Sequence, residues 1–152
     1  MSGAALKNPA ELPARLDLVR PERVLIVDAP QAFSELLAAS RGAGLVTENI
    51  TEEDLSSIKE AFDAVLLWRE SRVGSRSAMD GALRRLAPGG AFWAVIAMRK
   101  VRGPETPAAH RLELSDLAKA FEKHGMASDR EVRVTSWHAA HRFVKGKPAY
   151  ST

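Results

Sequence analysis

Three apolar runs constrain this chain more than any other feature. Residues 23–29 (RVLIVDA), 62–68 (FDAVLLW) and 91–98 (AFWAVIAM) are continuous rather than alternating, and rich in β-branched and aromatic residues. A strand with one face in water alternates apolar and polar side chains, whereas a strand covered on both faces does not. These runs therefore read as central strands of a parallel sheet. Parallel neighbours need long crossovers between them, usually helical, and the intervening stretches have helical spacing.

After a short helix over residues 13–20, ended by Pro21, the first run leads into Pro30, whose fixed φ suits a first helical turn. Phe33, Leu36, Leu37 and Ser40 then share one side, and Gly42 to Gly44 closes the helix. Residues 45–50 form a short second strand. Thr51 and Asp54 resemble a capping box, opening a helix to about Phe62 with Leu55 and Ile58 inward. Residues 75–86 carry a stripe of Met79, Leu83 and Leu86, and Pro88-Gly89-Gly90 makes a turn. Ser115 is the expected N-cap of a helix to Lys123, and residues 130–145 alternate in two pieces, as an antiparallel hairpin does. The fold class predicted is α/β: an open, mostly parallel, doubly wound sheet with a C-terminal antiparallel hairpin. A single domain spans 1–152, with residues 1–20 as an N-terminal arm and helix and 146–152 as a tail.

Composition narrows the function classes. With no cysteine among 152 residues, disulfides, thiolate metal sites and a cysteine nucleophile are excluded. No apolar run approaches the ~18 residues of a membrane helix, and residues 1–16 lack a signal-peptide pattern, so a soluble cytoplasmic protein is expected. Gly-x-Ser-x-Gly and phosphate-loop motifs are also missing. His138 and His141, three apart on a strand, fall on opposite faces and make no metal pair. The net charge of +3 conceals an asymmetry. Residues 1–60 hold six Lys/Arg and ten Asp/Glu, a balance of −4; residues 61–152 hold sixteen and nine, a balance of +7.

Four segments in this order resemble class I S-adenosylmethionine (SAM)-dependent methyltransferases. Residues 16–29 (LDLVRPERVLIVDA) look like that family's lead-in and first strand, and residues 62–67 (FDAVLL) like its fourth. Residues 83–92 (LRRLAPGGAF) look like the Pro-Gly-Gly entry to its fifth strand, and residues 115–145 like its last helix and terminal hairpin. The resemblance implies a Rossmann-like sheet, here one βα unit short between the second strand and Phe62. It also implies a cofactor cradle after the first strand, where the family reads Asp/Glu-x-Gly-x-Gly-x-Gly. This chain reads Ile26-Val27-Asp28-Ala29-Pro30-Gln31-Ala32, placing Asp28, Pro30 and Ala32 at the three glycines. Proline donates no N–H, and a carboxylate at Asp28 opposes the cofactor's own. Together with Asp28-Ala29-Pro30, the ending Trp137 to Val144 also resembles a small bacterial family of methyltransferase-like proteins with no assigned activity.

If SAM binds, Asp28, Ala29 and Pro30 are the residues expected to line it, with Glu48 on its ribose hydroxyls. A second candidate site is an anion-binding rim of Arg69, Arg72, Arg99, Lys100 and Arg102, which leave the carboxyl ends of two adjacent strands, where open α/β sheets bind ligands. Three functions follow as expectations. The first is a methyltransferase-like binding or assembly module without ordinary SAM binding and without another cofactor. The second is a methyltransferase with an atypical cofactor site. The third is an anion, nucleotide or nucleic-acid binder using the Arg-rich rim. The open sheet leaves edges that a homo-oligomer would cover.

Overall fold

A computed structural model describes residues 5–98, 101–104 and 106–145. Arg99, Lys100 and Glu105, the first four residues of the arm and the 146–152 tail lie outside them. Six strands form one sheet: β1 (Arg23–Val27), β2 (Val46–Ile50), β3 (Phe62–Trp68), β4 (Leu86–Ala97), β5 (Met126–Arg133) and β6 (His138–Lys145). Their spatial order is β2-β1-β3-β4-β6-β5. The first four are parallel, and β6 runs antiparallel to both β4 and β5. This is the expected open sheet with its terminal hairpin, and only a short segment joins β2 to β3.

The helices are α1 (Leu12–Arg15), α2 (Gln31–Ser40), α3 (Ser75–Leu83) and α4 (Leu114–Glu122). The central strands are buried on both sides, as their unbroken apolar runs require. Val24 and Ile26 of β1, Leu66 of β3 and Trp93 of β4 pack with Phe33 and Leu37 of α2 and Leu12 of α1. The alternate residues Leu25, Val27, Val65, Phe92 and Ile96 pack with Met79 and Ala82 of α3 and Phe121 of α4. A strand's two-residue period thus feeds two separate apolar layers. At roughly 25 cal/mol per Å² of apolar surface removed from water, these layers dominate the stability of the domain.

Several boundaries differ from the sequence reading. The expected helix after β2 is a 3₁₀ segment, Glu52–Ser57, ending in extended Ile58. The Thr51 hydroxyl donates to the Asp54 carboxylate at 3.2 Å instead of accepting from a backbone N–H, so no cap supports an α-helix there. Helix α4 is capped by Glu113, in a reciprocal box with Asp116, rather than by Ser115. Pro88-Gly89-Gly90 lies inside β4 as an irregularity: the pairing jumps from Phe62–Leu86 to Ala64–Ala91. Gly89 there has φ +82°, and a Cβ on Gly90 would lie 2.6 Å from the Asp63 carbonyl oxygen, so glycine is required at both.

Candidate functional site

The carboxyl ends of β1, β2 and β3 meet at the edge where an open α/β sheet binds its ligands. Asp28 follows β1 with φ +61°, a conformation that costs most residues more than it costs Asp or Asn. The chain thus keeps a glycine-like backbone at the first cradle position while carrying a carboxylate. Its N–H donates to the Ile50 carbonyl at the end of β2, and its Oδ1 accepts the Glu52 N–H at 3.1 Å. Partial burial pushes the Asp28 carboxyl above its ordinary value. The nearby Glu52 and Glu53 carboxylates add to the rise, while the Glu52 N–H and the Arg69 guanidinium oppose it.

Arg69 follows β3, on the other side of β1 from β2. Its Nη1 meets Glu52 Oε1 at 2.5 Å. Its Nε donates to the Ser71 carbonyl at 3.1 Å and its Nη2 to the Val73 carbonyl. The loop folds round the guanidinium by way of Gly74, at φ +74°, where a Cβ would stand 3.1 Å from Nη2. The Arg69–Glu52 bridge therefore joins the two strands that flank β1, with Asp28 at the end of β1 between them.

The other expected site residues disperse. Pro30 serves as the N-cap residue of α2, its carbonyl accepting the Phe33 N–H at 3.0 Å, and Ala29 packs against the α2 layer. Glu48 pairs with Leu25 on the edge strand, three residues short of Asp28 along the ladder, or about 10 Å at a strand's rise. It is exposed, and the structure does not bring it to the crevice. Arg72 donates from Nη2 to the Ala109 and Arg111 carbonyls at 3.1 and 3.3 Å and lies 3.7 Å from Asp116. Arg102 is exposed. Arg99 and Lys100 fall outside the described residues, so of the five-residue rim two members are engaged internally and one points to solvent.

Sequence reasoning missed three participants at this edge. Glu52 falls within the helix expected to open at Thr51, although it stands two residues after β2, where strand-end ligands arise. Arg111, only 5% exposed, draws together Met98, Val101 and Thr106 by donating to their carbonyls at 3.0, 2.8 and 2.9 Å. Glu70 Oε2 lies 2.6 Å from His138 Nε2, whose Nδ1 lies 2.8 Å from Thr135 Oγ1. The Thr135 oxygen accepts the N–H groups of both Trp137 and His138. Its own hydrogen is therefore directed to Nδ1, which leaves the ring proton on Nε2 to be donated to Glu70. The row of acid, imidazole and hydroxyl resembles a hydrolytic triad in composition only. Here the hydroxyl oxygen is occupied by two backbone donors on a residue only 2% exposed, and the arrangement pins β6 to the end of β3.

At the three positions where the resembled family carries glycines this chain has Asp28, Pro30 and Ala32, and the Arg69–Glu52 bridge lies at the same strand ends.

No family model and no curated protein matches the chain by sequence. Solved structures do match it. A SAM-dependent methyltransferase from Aquifex aeolicus superposes with TM-score 0.64 at 12% identity, covering 91% of this chain and 90% of that one. An N-methyltransferase from Bradyrhizobium japonicum, holding S-adenosyl-L-homocysteine, gives 0.63 at 16% identity over 91% and 85%. A magnesium protoporphyrin IX methyltransferase from Synechocystis, also with S-adenosylhomocysteine, gives 0.62 at 12% over 91% and 80%. At such identities the likeness speaks for architecture, and on that ground this chain has the Rossmann-like fold of the class I SAM-dependent methyltransferases.

Proposed function

We propose that this chain is a methyltransferase-like domain whose cofactor crevice is closed by its own side chains, and that it acts as a binding or assembly module rather than by transferring methyl groups. The observation that carries this reading is the Arg69–Glu52 bridge at 2.5 Å between the residues that follow β3 and β2, with Asp28 at the end of β1 accepting the Glu52 N–H. A ligand entering there must break that ion pair and bring its own carboxylate against a second one, while finding no N–H on Pro30. Each lost charged hydrogen bond costs roughly 1.5–3 kcal/mol, which a ligand has to recover before any net binding. Calorimetric titration with SAM and with S-adenosylhomocysteine tests it. Silence at millimolar ligand is expected; micromolar binding overturns the reading.

A second reading has its own support. The Bradyrhizobium and Synechocystis neighbours hold S-adenosylhomocysteine on the same architecture, so a methyltransferase with an altered cofactor pose remains the alternative. In that case Arg69 swings away from Glu52, and Arg69→Ala tightens cofactor binding. Under the closed-crevice reading Arg69→Ala gains nothing measurable, because Asp28 and Pro30 still obstruct the pose.

A further inference from the structure

The most distinctive unassigned surface lies at the opposite edge of the sheet. Two cavities of about 410 Å³ each adjoin there, sharing Leu83, Lys123 and His124. One is floored by Leu83, Leu86, Pro88 and Met126, with Lys145 at its mouth. The other runs between α3 and α4 past Arg76, Arg84 and Lys123. Helical spacing explains the convergence: Arg76, Leu83 and Arg84 stand at i, i+7 and i+8, and Ala120, Lys123 and His124 at i, i+3 and i+4, so each set forms one stripe.

Unlike Arg69 and Arg72, these cations are unspent. Among the described residues Arg76, Arg84, Lys123 and Lys145 make no ion pair and no side-chain hydrogen bond, and Asp80 is the one acid lining either cavity. The carbonyl ends of α3 and α4 favour the cations Arg84 and Lys123 beside them without giving either a carboxylate partner.

We infer that this groove is a docking site for an acidic, amphipathic peptide segment of a partner protein. Carboxylates would meet Arg76, Arg84, Lys123 and Lys145, and an aliphatic side chain between them would enter the Leu83–Leu86–Met126 floor. Charge complementarity selects an anionic partner, and the lining selects the peptide over a single-stranded nucleic acid. Sequence-tolerant binding of unpaired bases uses aromatic platforms, whereas His124 carries the one aromatic ring among the described lining residues. The inference is independent of whether the crevice binds SAM.

Fluorescence anisotropy with a labelled peptide of repeating Leu-Glu-Glu, on the full chain at low and physiological salt, is the test. Saturable binding is expected, weakened about tenfold or more in Arg84→Glu/Lys123→Glu and falling with salt. Arg133→Glu, an exposed change at the other edge, should leave it intact. Circular dichroism of each variant checks that the fold persists. Four results overturn the proposal: no saturable binding, equal loss in Arg133→Glu, equal binding of a Ser-Glu-Glu peptide lacking the apolar anchor, or tighter binding of an oligouridylate than of the peptide.

Discussion

Two groups of described cations, one toward each edge of the sheet, are used in opposite ways. At the carboxyl edge Arg69, Arg72 and Arg111 are directed inward, onto loop carbonyls and the Glu52 and Asp116 carboxylates. Toward the amino edge Arg84, Lys123 and Lys145 stand in a groove that runs along α3 as far as Arg76 and is lined by a single acid among the described residues. Guanidinium groups suit the first role because their planar fork satisfies several oxygens at once. A run of arginines in a sequence thus signals neither a site nor a solvated face until its acceptors are known, and here Arg69 and Arg72, which open the expected rim, are the ones whose cations are consumed.

Stability measurements sharpen that contrast. The largest effect belongs to the most deeply buried cations. Arg41, which is 8% exposed, donates to Thr47 Oγ1 and to the carbonyls of Leu18, Glu22 and Val46, and burial draws its guanidinium below the ordinary value. Arg41→Ala and Arg111→Ala should each cost about 3 kcal/mol in urea unfolding, since several buried carbonyls lose their donors together. Arg69→Ala should cost about 1–2 kcal/mol, because it frees two carbonyls and leaves Glu52 beside Asp28. Arg84→Ala, in the groove, should stay within about 0.5 kcal/mol. A cost at Arg84 equal to that at Arg69 would erase the distinction between the edges.

Smaller effects appear in the pH dependence. The Asp28 carboxyl is raised above 3.8 in the fold, so its contribution is fully present below that value and is lost as pH rises through the raised one. Asp28→Asn, which tolerates left-handed backbone and keeps an acceptor for the Glu52 N–H, should lack this decline in thermal melts across acidic pH. His141 behaves in the opposite sense. Burial lowers its pKa from 6.5, against the pull of Glu131, so its contribution is present above 6.5 and lost as pH falls through the lowered value. His141→Gln should flatten that arm of the profile, and an unchanged profile would contradict the assignment.

What was legible in the sequence divides along physical lines. Continuous apolar runs located β1, β3 and the second half of β4, because burial on both faces leaves a composition signal that local order alone sustains. The terminal hairpin was readable from its alternation, and the missing βα unit from the resemblance. The 3₁₀ segment was not, since whether Thr51 caps a helix or bonds Asp54 depends on a side-chain choice that spacing does not reveal. Asp28 and Pro30 announced an altered crevice. The Arg69–Glu52 bridge did not announce itself, because the two residues are separated by 17 positions and meet only once β2 and β3 flank β1. Glu70 and His138, 68 residues apart, are a still more distant case.

The closed crevice is tested most directly at the Arg69 side chain itself. In nitrogen-edited NMR spectra the Arg69 Nε–H, bonded to the Ser71 carbonyl, should give a resolved, slowly exchanging resonance that millimolar S-adenosylhomocysteine leaves in place. Displacement or broadening of that resonance by the ligand, together with shifts at Asp28 and Glu52, would mean that the guanidinium is a movable gate and that the domain still takes up the methyl donor's product.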